Sequence, residues 1–304
     1  MINGATLEKN VVTIPTIGNT IQEKEKCKGL CKYSKEEKER LKTELANQSV
    51  FLTRFKKVLE GNTFSCHPPL VLFRFHILGL FYIARQQIME YNILAQEGKI
   101  KEAQEGLIKM NAFFENTLLK ENKYTLVDSL IFVKALNNTR EVLSDLPTFN
   151  HATVRFKAIS YEDVIKRAEI GELQAEHTLL SFPMKRKFFE QTTISETPEV
   201  KKPSPVAQYL DGVINKVLNY FFLKNETLND NLQVLKIAAW HPCIGQDDIP
   251  CEAQSPNPFS WLRNPMGKMI TQVISSNTPS TFRKLKNNIN ELTITTYNSA
   301  LHKK

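Results

Sequence analysis

The most regular pattern in the chain lies in IKEAQEGLIKMNAFFENTL, residues 100 to 118. Its large apolar residues and one alanine recur every three or four positions, at Ile100, Ala103, Leu107, Met110, Phe114 and Leu118. This interval places all six on one face of an α-helix and leaves Lys and Glu on the opposite face. The stretch therefore predicts an amphipathic helix that buries one side.

Less regular stripes of the same kind continue on both sides of this helix. Ser34 and Glu37 form a capping-box pattern ahead of a leucine-rich stripe over residues 41–59, which predicts one helix there. Residues 151–160 alternate apolar and polar side chains and could form a short strand. The sequence thus predicts a mostly α protein, an irregular multi-helix bundle with at most a few short strands and room for a second, smaller helical domain.

Four segments follow from changes in composition along the chain. Residues 1–33 are polar and lack steady periodicity, which is typical of a flexible N-terminal arm. Residues 34–190 form the predicted helical bundle domain. Residues 191–205, QTTISETPEVKKPSP, hold three prolines and almost no large apolar side chain, which predicts a linker. Residues 206–304 then form a smaller C-terminal helical domain, which could pack on the bundle or stand apart.

The net charge of the chain indicates which partners it could bind, and its cysteine content indicates the cellular compartment. The 304-residue chain has a formal net charge of +8, which favours anionic partners such as nucleic acid, acidic lipid or an acidic protein face. The alternative is a solvated lysine-rich surface, because Lys and Glu are mixed along the chain. Five cysteines at low density do not resemble a disulfide framework and predict a reducing, cytoplasmic location. The most apolar run is about fifteen residues, too short for a transmembrane segment.

The stretch WHPCIGQDDIPC, residues 240–251, concentrates chemically capable side chains. Candidate catalytic residues are His241, Cys243, Asp247 and Asp248, because a cysteine nucleophile needs a nearby base. A zinc site needs four ligands and tight cysteine pairs; Cys243 and Cys251 are too far apart in sequence, so we predict no metal and no cofactor. The alternative is a structural loop in which Trp240 ends a helix and packs back.

Two short basic clusters are candidates for contacts with anions. They are PMKRKFFE, with Lys185, Arg186 and Lys187, and FRKLK, with Arg283, Lys284 and Lys286. Basic residues beside phenylalanine can contact acidic lipid or a phosphate backbone. Both clusters are shorter than the basic stripes of dedicated nucleic-acid modules. A third cluster, Glu169, Glu172 and Glu176, shares one helix face, which we interpret as a solvated acidic face.

The function that the sequence favours is protein interaction or regulation, with another protein as the partner. Amphipathic helices, basic clusters and the absence of nucleotide-binding and hydrolase motifs support this hypothesis. A sharper version is a bacterial effector acting on proteins in a host cytosol. Two alternatives remain: an enzyme of an unfamiliar helical class using the Cys/His site near residues 241–251, and a peripheral binder of anionic lipid or nucleic acid.

Overall fold

A computed structural model describes residues 29–61, 74–120, 124–147, 149, 154–181, 224–240, 243–244 and 265–301. These described residues contain eight helices and no strand, which confirms the predicted mostly α multi-helix class. The helices are α1 (Lys35–Asn47), α2 (Ser49–Glu60), α3 (Arg74–Gln96), α4 (Ile100–Leu119), α5 (Leu126–Ser144), α6 (Tyr161–Ser181), α7 (Lys224–Ala239) and α8 (Pro265–Leu301). Among them, no helix has the length and hydropathy to cross a membrane.

Helix α1 begins as the sequence predicts, whereas α2 is a separate helix that the sequence did not predict. The backbone N–H of Glu37 donates to the Ser34 hydroxyl, while the Ser34 N–H donates to the Glu37 carboxylate at 2.8 Å. The single helix expected over residues 41–59 is wrong, because Gln48 leaves the helical conformation at φ −103° and ψ 6° and divides it. No glycine or proline marks this break, so the residue pattern gave no warning of it.

Helix α5 is the centre of the bundle. It packs against α3, α4, α6 and α8, so several of its faces are buried at once. Phe132, Leu136 and Leu143 have no solvent exposure, and the same is true of the polar Asn137 and Arg140. A helix covered on several sides lacks a clean amphipathic stripe, which is why residues 100–118 of α4 show the clearer pattern.

The described C-terminal helices, α7 and α8, contribute to this same core. Leu235 of α7 and Phe282, Leu285 and Ile289 of α8 belong to the same buried cluster as the apolar residues of α4, α5 and α6. The two helical parts therefore share one core, which the sequence left open. The predicted linker 191–205 lies outside the described residues, and independent folding of residues 206–304 stays a prediction.

Helix α8 joins two segments that the sequence separates. The residue pattern predicts one helix that begins at Pro265 and a separate amphipathic stretch that carries Phe282, Leu285, Ile289 and Leu292. Instead, one helix runs from Pro265 to Leu301 with Pro279 inside it. Proline removes one backbone donor from a helix interior. Extensive packing against α5 and α7 offsets that loss and keeps the helix continuous.

Residues 29–33, assigned above to the flexible arm, are packed against the bundle. The Leu30 N–H donates to the Asp145 carboxylate at 2.9 Å, at the end of α5. Gln96 holds the same segment twice: its side-chain oxygen accepts from the Tyr33 N–H, and its amide donates to the Cys31 carbonyl. Residues 1–28 lie outside the described part of the chain.

The short strand expected at residues 151–160 is not formed in the described stretch, 154–160. At the centre of this stretch, the backbone groups of Lys157 form hydrogen bonds with side chains instead of with a neighbouring strand. The Lys157 N–H donates to the Glu115 carboxylate at 3.1 Å, and the Lys157 carbonyl accepts from the Arg140 guanidinium at 3.0 Å. Alternation of apolar residues therefore does not predict a strand correctly in this stretch.

Candidate functional site

Trp240, the first residue of the WHPCIGQDDIPC stretch, lies where α7 meets α6. Helix α7 ends at Ala239, whose carbonyl accepts from the Tyr161 hydroxyl at 3.1 Å. Trp240 follows and is 60% exposed. The expectation that Trp240 packs back is therefore wrong for most of its surface. It makes an edge-to-face contact with Tyr161, at 6.3 Å between ring centroids.

Cys243 lies beneath this surface and is not a free thiol. It has no solvent exposure and is disulfide-bonded. Its carbonyl accepts from the Arg283 guanidinium at 2.9 Å. A cysteine nucleophile acts as a thiolate, so Cys243 cannot serve while its disulfide is intact. His241, Asp247 and Asp248 lie outside the described residues, and the Cys/His enzyme alternative stays a prediction.

Two of the three residues in the second basic cluster contact other parts of the chain, and the third is exposed. Arg283 binds the Cys243 carbonyl, and the Lys286 ammonium lies 4.5 Å from the centroid of the Tyr161 ring. Lys284, between them, points to solvent. The cluster therefore supports the fold and contributes positive charge to its surface. The companion residues Lys185, Arg186 and Lys187 lie outside the described part of the chain.

These contacts define one continuous surface, which we call the Trp240 surface. It comprises Ile237, Trp240, Tyr161, Arg283 and Lys286. Ile237 is 46% exposed and lies one turn before Trp240 on the same face of α7. The buried Tyr161 ring lies between the indole and the Lys286 ammonium, so an exposed apolar centre adjoins positive charge. Tryptophan beside basic residues is typical of energetically dominant positions in protein interfaces.

A second concentration of polar groups is fully buried around Arg140, which has no solvent exposure. Its guanidinium donates to Asn111 at 2.9 Å, to the Glu115 carboxylate at 2.8 Å and to the Thr296 hydroxyl at 2.7 Å. The guanidinium also lies 4.7 Å from the centroid of the Phe156 ring. This Arg140 cluster joins α4, α5, α8 and the extended segment before α6. No periodicity argument identified it.

The Arg140 cluster is suited to a structural role. Burial lowers the pKa of Arg140 to about 10, although the Glu115 carboxylate opposes that shift. The guanidinium therefore stays charged at neutral pH. Four protein acceptors surround it, the Lys157 carbonyl among them, and Glu115 also accepts from the Lys157 N–H. Catalytic groups need an accessible reacting atom, whereas here the protein itself saturates the charge.

A small cavity separates residues 29–33 from α3 and α5. Its volume is about 50 Å³, and its lining includes Tyr33, Asn92, Arg85 and Glu141. The Tyr33 hydroxyl and the Asn92 side-chain oxygen are buried, and neither makes a hydrogen bond of good geometry within the described structure. Burial raises the pKa of Tyr33 to about 12, with the adjacent Asn92 amide acting in the opposite direction. The space suits a few water-sized molecules.

The acidic face predicted on α6 is only partly a solvated surface. The Glu172 carboxylate accepts from the Leu126 N–H at 2.8 Å and so binds the first turn of α5. Partial burial raises the pKa of Glu169, and Lys236 of α7 opposes that shift. The Glu176 side chain lies outside the described set. Throughout the described residues, no three His, Cys, Asp or Glu side chains are grouped to hold a metal ion.

The disulfide bonds of Cys31 and Cys243 do not fit the reducing compartment expected from the cysteine count. Low cysteine density is a weak indicator, because two cross-links in a large domain leave the composition ordinary. The predicted cytoplasmic location therefore lacks the support first given to it.

Comparison with known proteins places the chain in no family. No protein-family model matches it, and neither a curated protein nor a solved structure shows significant similarity. The functional argument accordingly rests on the geometry above.

Proposed function

We propose that this chain is a protein-interaction protein that docks through the Trp240 surface onto an acidic protein face with an apolar centre. The exposure of Trp240 carries the proposal. Indole is large and mostly apolar, so leaving 60% of it in water forgoes burial energy that an interior site would supply. A partner that covers the ring would recover that energy.

The local charge indicates the chemistry of the partner. Arg283 and Lys286 lie at the edge of the Trp240 surface, and the whole chain carries a net charge of +8. Positive charge around an apolar centre steers acidic partners and sets their orientation. Contacts with Tyr161 and Cys243 also hold the two basic side chains in place, which lowers the entropy lost when a partner binds.

The other functions considered have less support in the geometry. An anionic-lipid or nucleic-acid binder would need a longer basic stripe than the one that Arg283 and Lys286 form beside an exposed apolar residue. A cysteine enzyme would need the Cys243 thiol, which is bonded. Regulation of the bound partner and an effector role in a host remain extensions of this proposal; the disulfide bonds do not favour a cytosolic place of work.

The test compares capture of proteins by three immobilised forms of the full chain: wild type, Trp240→Ala and Tyr297→Ala. Tyr297 is a matched control, since it is 63% exposed on α8 and outside the Trp240 surface. We expect an acidic protein that wild type and Tyr297→Ala retain equally and that Trp240→Ala binds at least about tenfold more weakly. Raising the salt concentration should weaken the capture.

Equal retention by Trp240→Ala would overturn the proposal. A second measurement uses Trp261→Phe, which leaves Trp240 as the only tryptophan and hence a fluorescence reporter. Its emission should shift to the blue on binding the captured protein. A blue shift with phosphatidylglycerol vesicles or single-stranded DNA, and none with protein, would support the lipid or nucleic-acid alternative instead.

A further inference from the structure

The two disulfide-bonded cysteines of the described structure lie in different parts of the fold. Cys31 is 6% exposed and belongs to the segment that Gln96 and Asp145 hold against α3 and α5. Cys243 has no exposure and follows α7, bound through its carbonyl to α8. Both are bonded to another cysteine. One shared bond or two separate bonds could account for this, and their positions decide between these possibilities.

Two hydrogen bonds between α5 and α8 show in which direction the two helices run relative to each other. Asn137 of α5 donates to Glu291 of α8 at 3.0 Å, and further along both helices Arg140 donates to Thr296 at 2.7 Å. The paired positions rise together in number, so α5 and α8 run in the same direction. Positions along one helix can therefore be compared with positions along the other.

Compared by their positions along α5 and α8, the two cysteines are far apart. Cys31 adjoins Leu30, which binds Asp145, eight residues after Asn137; Cys243 binds Arg283, eight residues before Glu291. Each offset corresponds to about 12 Å of helix. The cysteines are thus roughly 20 Å apart along the bundle, whereas the Cα atoms of a disulfide lie no more than about 7 Å apart.

We propose that the chain forms two separate intrachain disulfide bonds and works in an oxidising compartment. Cys31 and Cys243 each take a different partner from the remaining three cysteines, Cys27, Cys66 and Cys251, which leaves one thiol. Each bond forms when two thiols lose two protons and two electrons. A disulfide-carrying oxidant accepts them by thiol–disulfide exchange and becomes a dithiol. Proteins that rely on such bonds act in extracytoplasmic spaces.

Burial makes the two bonds suited to a permanent structural role. Cys31 and Cys243 are almost fully covered, so reductants reach them poorly. Each also lies in a stretch without regular helix, where the backbone has fewer local hydrogen bonds to hold it. A cross-link at such a point restricts the unfolded chain and stabilises the fold.

The first test counts thiols in the full chain after secretion into a bacterial periplasm. The protein is denatured without reductant in excess iodoacetamide, and its intact mass gives the number of alkylated cysteines. We expect one alkylated cysteine before reduction and five after it. Reduction should also lower the thermal unfolding midpoint by at least about 5 °C. Five free thiols before reduction, or an unchanged midpoint, would overturn the proposal.

Single variants separate two bonds from one. In Cys31→Ser, two separate bonds predict two free thiols, because only the partner of Cys31 is released; a shared Cys31–Cys243 bond as the sole cross-link predicts four. Cys243→Ser should give the same count of two. Peptide mapping of the wild-type protein does not depend on the folding of any variant. A cross-linked peptide containing both Cys31 and Cys243 would contradict the inference, whereas two separate cross-linked peptides would support it.

Discussion

The Arg140 cluster and the Trp240 surface contain the same interaction in opposite settings. In each, a cation lies over an aromatic ring: Arg140 over Phe156 at 4.7 Å, and Lys286 over Tyr161 at 4.5 Å. Arg140 is fully enclosed and saturated with protein acceptors, whereas Lys286 is half-buried beside a tryptophan that is 60% exposed. The contact alone therefore does not mark a site. A cation–ring contact that is fully enclosed, as at Arg140, stabilises the fold. A contact beside an exposed side chain, as at Lys286, lies where a partner could reach it.

We expect the largest effect when the stability lost by removing the buried cation is compared with that lost by removing the surface cation. Arg140→Met should lower the free energy of unfolding by about 3–5 kcal/mol, because it leaves the buried Glu115 carboxylate without its main counter-charge. Lys286→Met, the matched change at the surface, should cost less than about 1 kcal/mol. Urea denaturation of both variants measures the difference.

A double variant tests the reason for that loss. Glu115→Met combined with Arg140→Met removes both buried charges and should be less destabilised than Arg140→Met alone, since replacing a buried ion pair by apolar groups is often close to neutral. If the double variant is the less stable of the two, Glu115 contributes chiefly through its bond to the Lys157 N–H and its contact with Asn111.

A smaller effect compares close packing with open space at two glycines. A Cβ on Gly171 of α6 would overlap the backbone of Tyr124, so Gly171→Ala should cost about 1–3 kcal/mol. A Cβ on Gly79 of α3 would meet nothing within 4 Å. Gly79→Ala should therefore gain about 0.5–1 kcal/mol from helix propensity. Thermal unfolding of both variants gives the two signs; a stabilising Gly171→Ala would show that α6 can move away from Tyr124.

Much of the fold could be predicted from the sequence where burial is one-sided. The stripe of α4 and the Ser34 capping box each depend on residues close in sequence, so their signals are local. The continuity of α8 through Pro279 depends on packing against helices far along the chain, and no glycine or proline marks the break at Gln48. Local propensity cannot specify such effects, and the sequence analysis was wrong at both positions.

The candidate site was less predictable than the fold. The sequence singled out residues 240–251 for cysteine and histidine chemistry, and of these only Trp240, Cys243 and Ile244 lie within the described residues. The exposure of Trp240 depends on how α6, α7 and α8 meet, which requires the tertiary structure. The Arg140 cluster escaped notice for the same reason: Glu115, Arg140 and Thr296 lie on three helices and share no sequence spacing.

A further expected effect is a loss of stability at alkaline pH. Burial raises the pKa of Tyr33 to about 12, from an ordinary value of 10.0, and raises the pKa of Tyr161 beneath Trp240 as well. Because the folded pKa exceeds the unfolded one, the stabilisation is complete below pH 10 and is lost as the pH rises toward 12. Tyr33→Phe should reduce this loss by up to about 2 kcal/mol in denaturation at several alkaline pH values. An unchanged slope would show that Tyr33 ionises freely in the folded protein.

Because residues 29–33 attach to Asp145, they lie at one end of the bundle, and this position affects how the molecule could be immobilised. The Leu30 N–H binds Asp145, the first residue after α5, and Thr296, close to the end of α8, binds Arg140 near the same end of α5. The first and last described segments thus arrive at one end of the bundle. A label or surface linkage placed at either segment would hold the molecule by that end. The Trp240 surface, which lies further back along the bundle, would stay accessible to a partner approaching from the side.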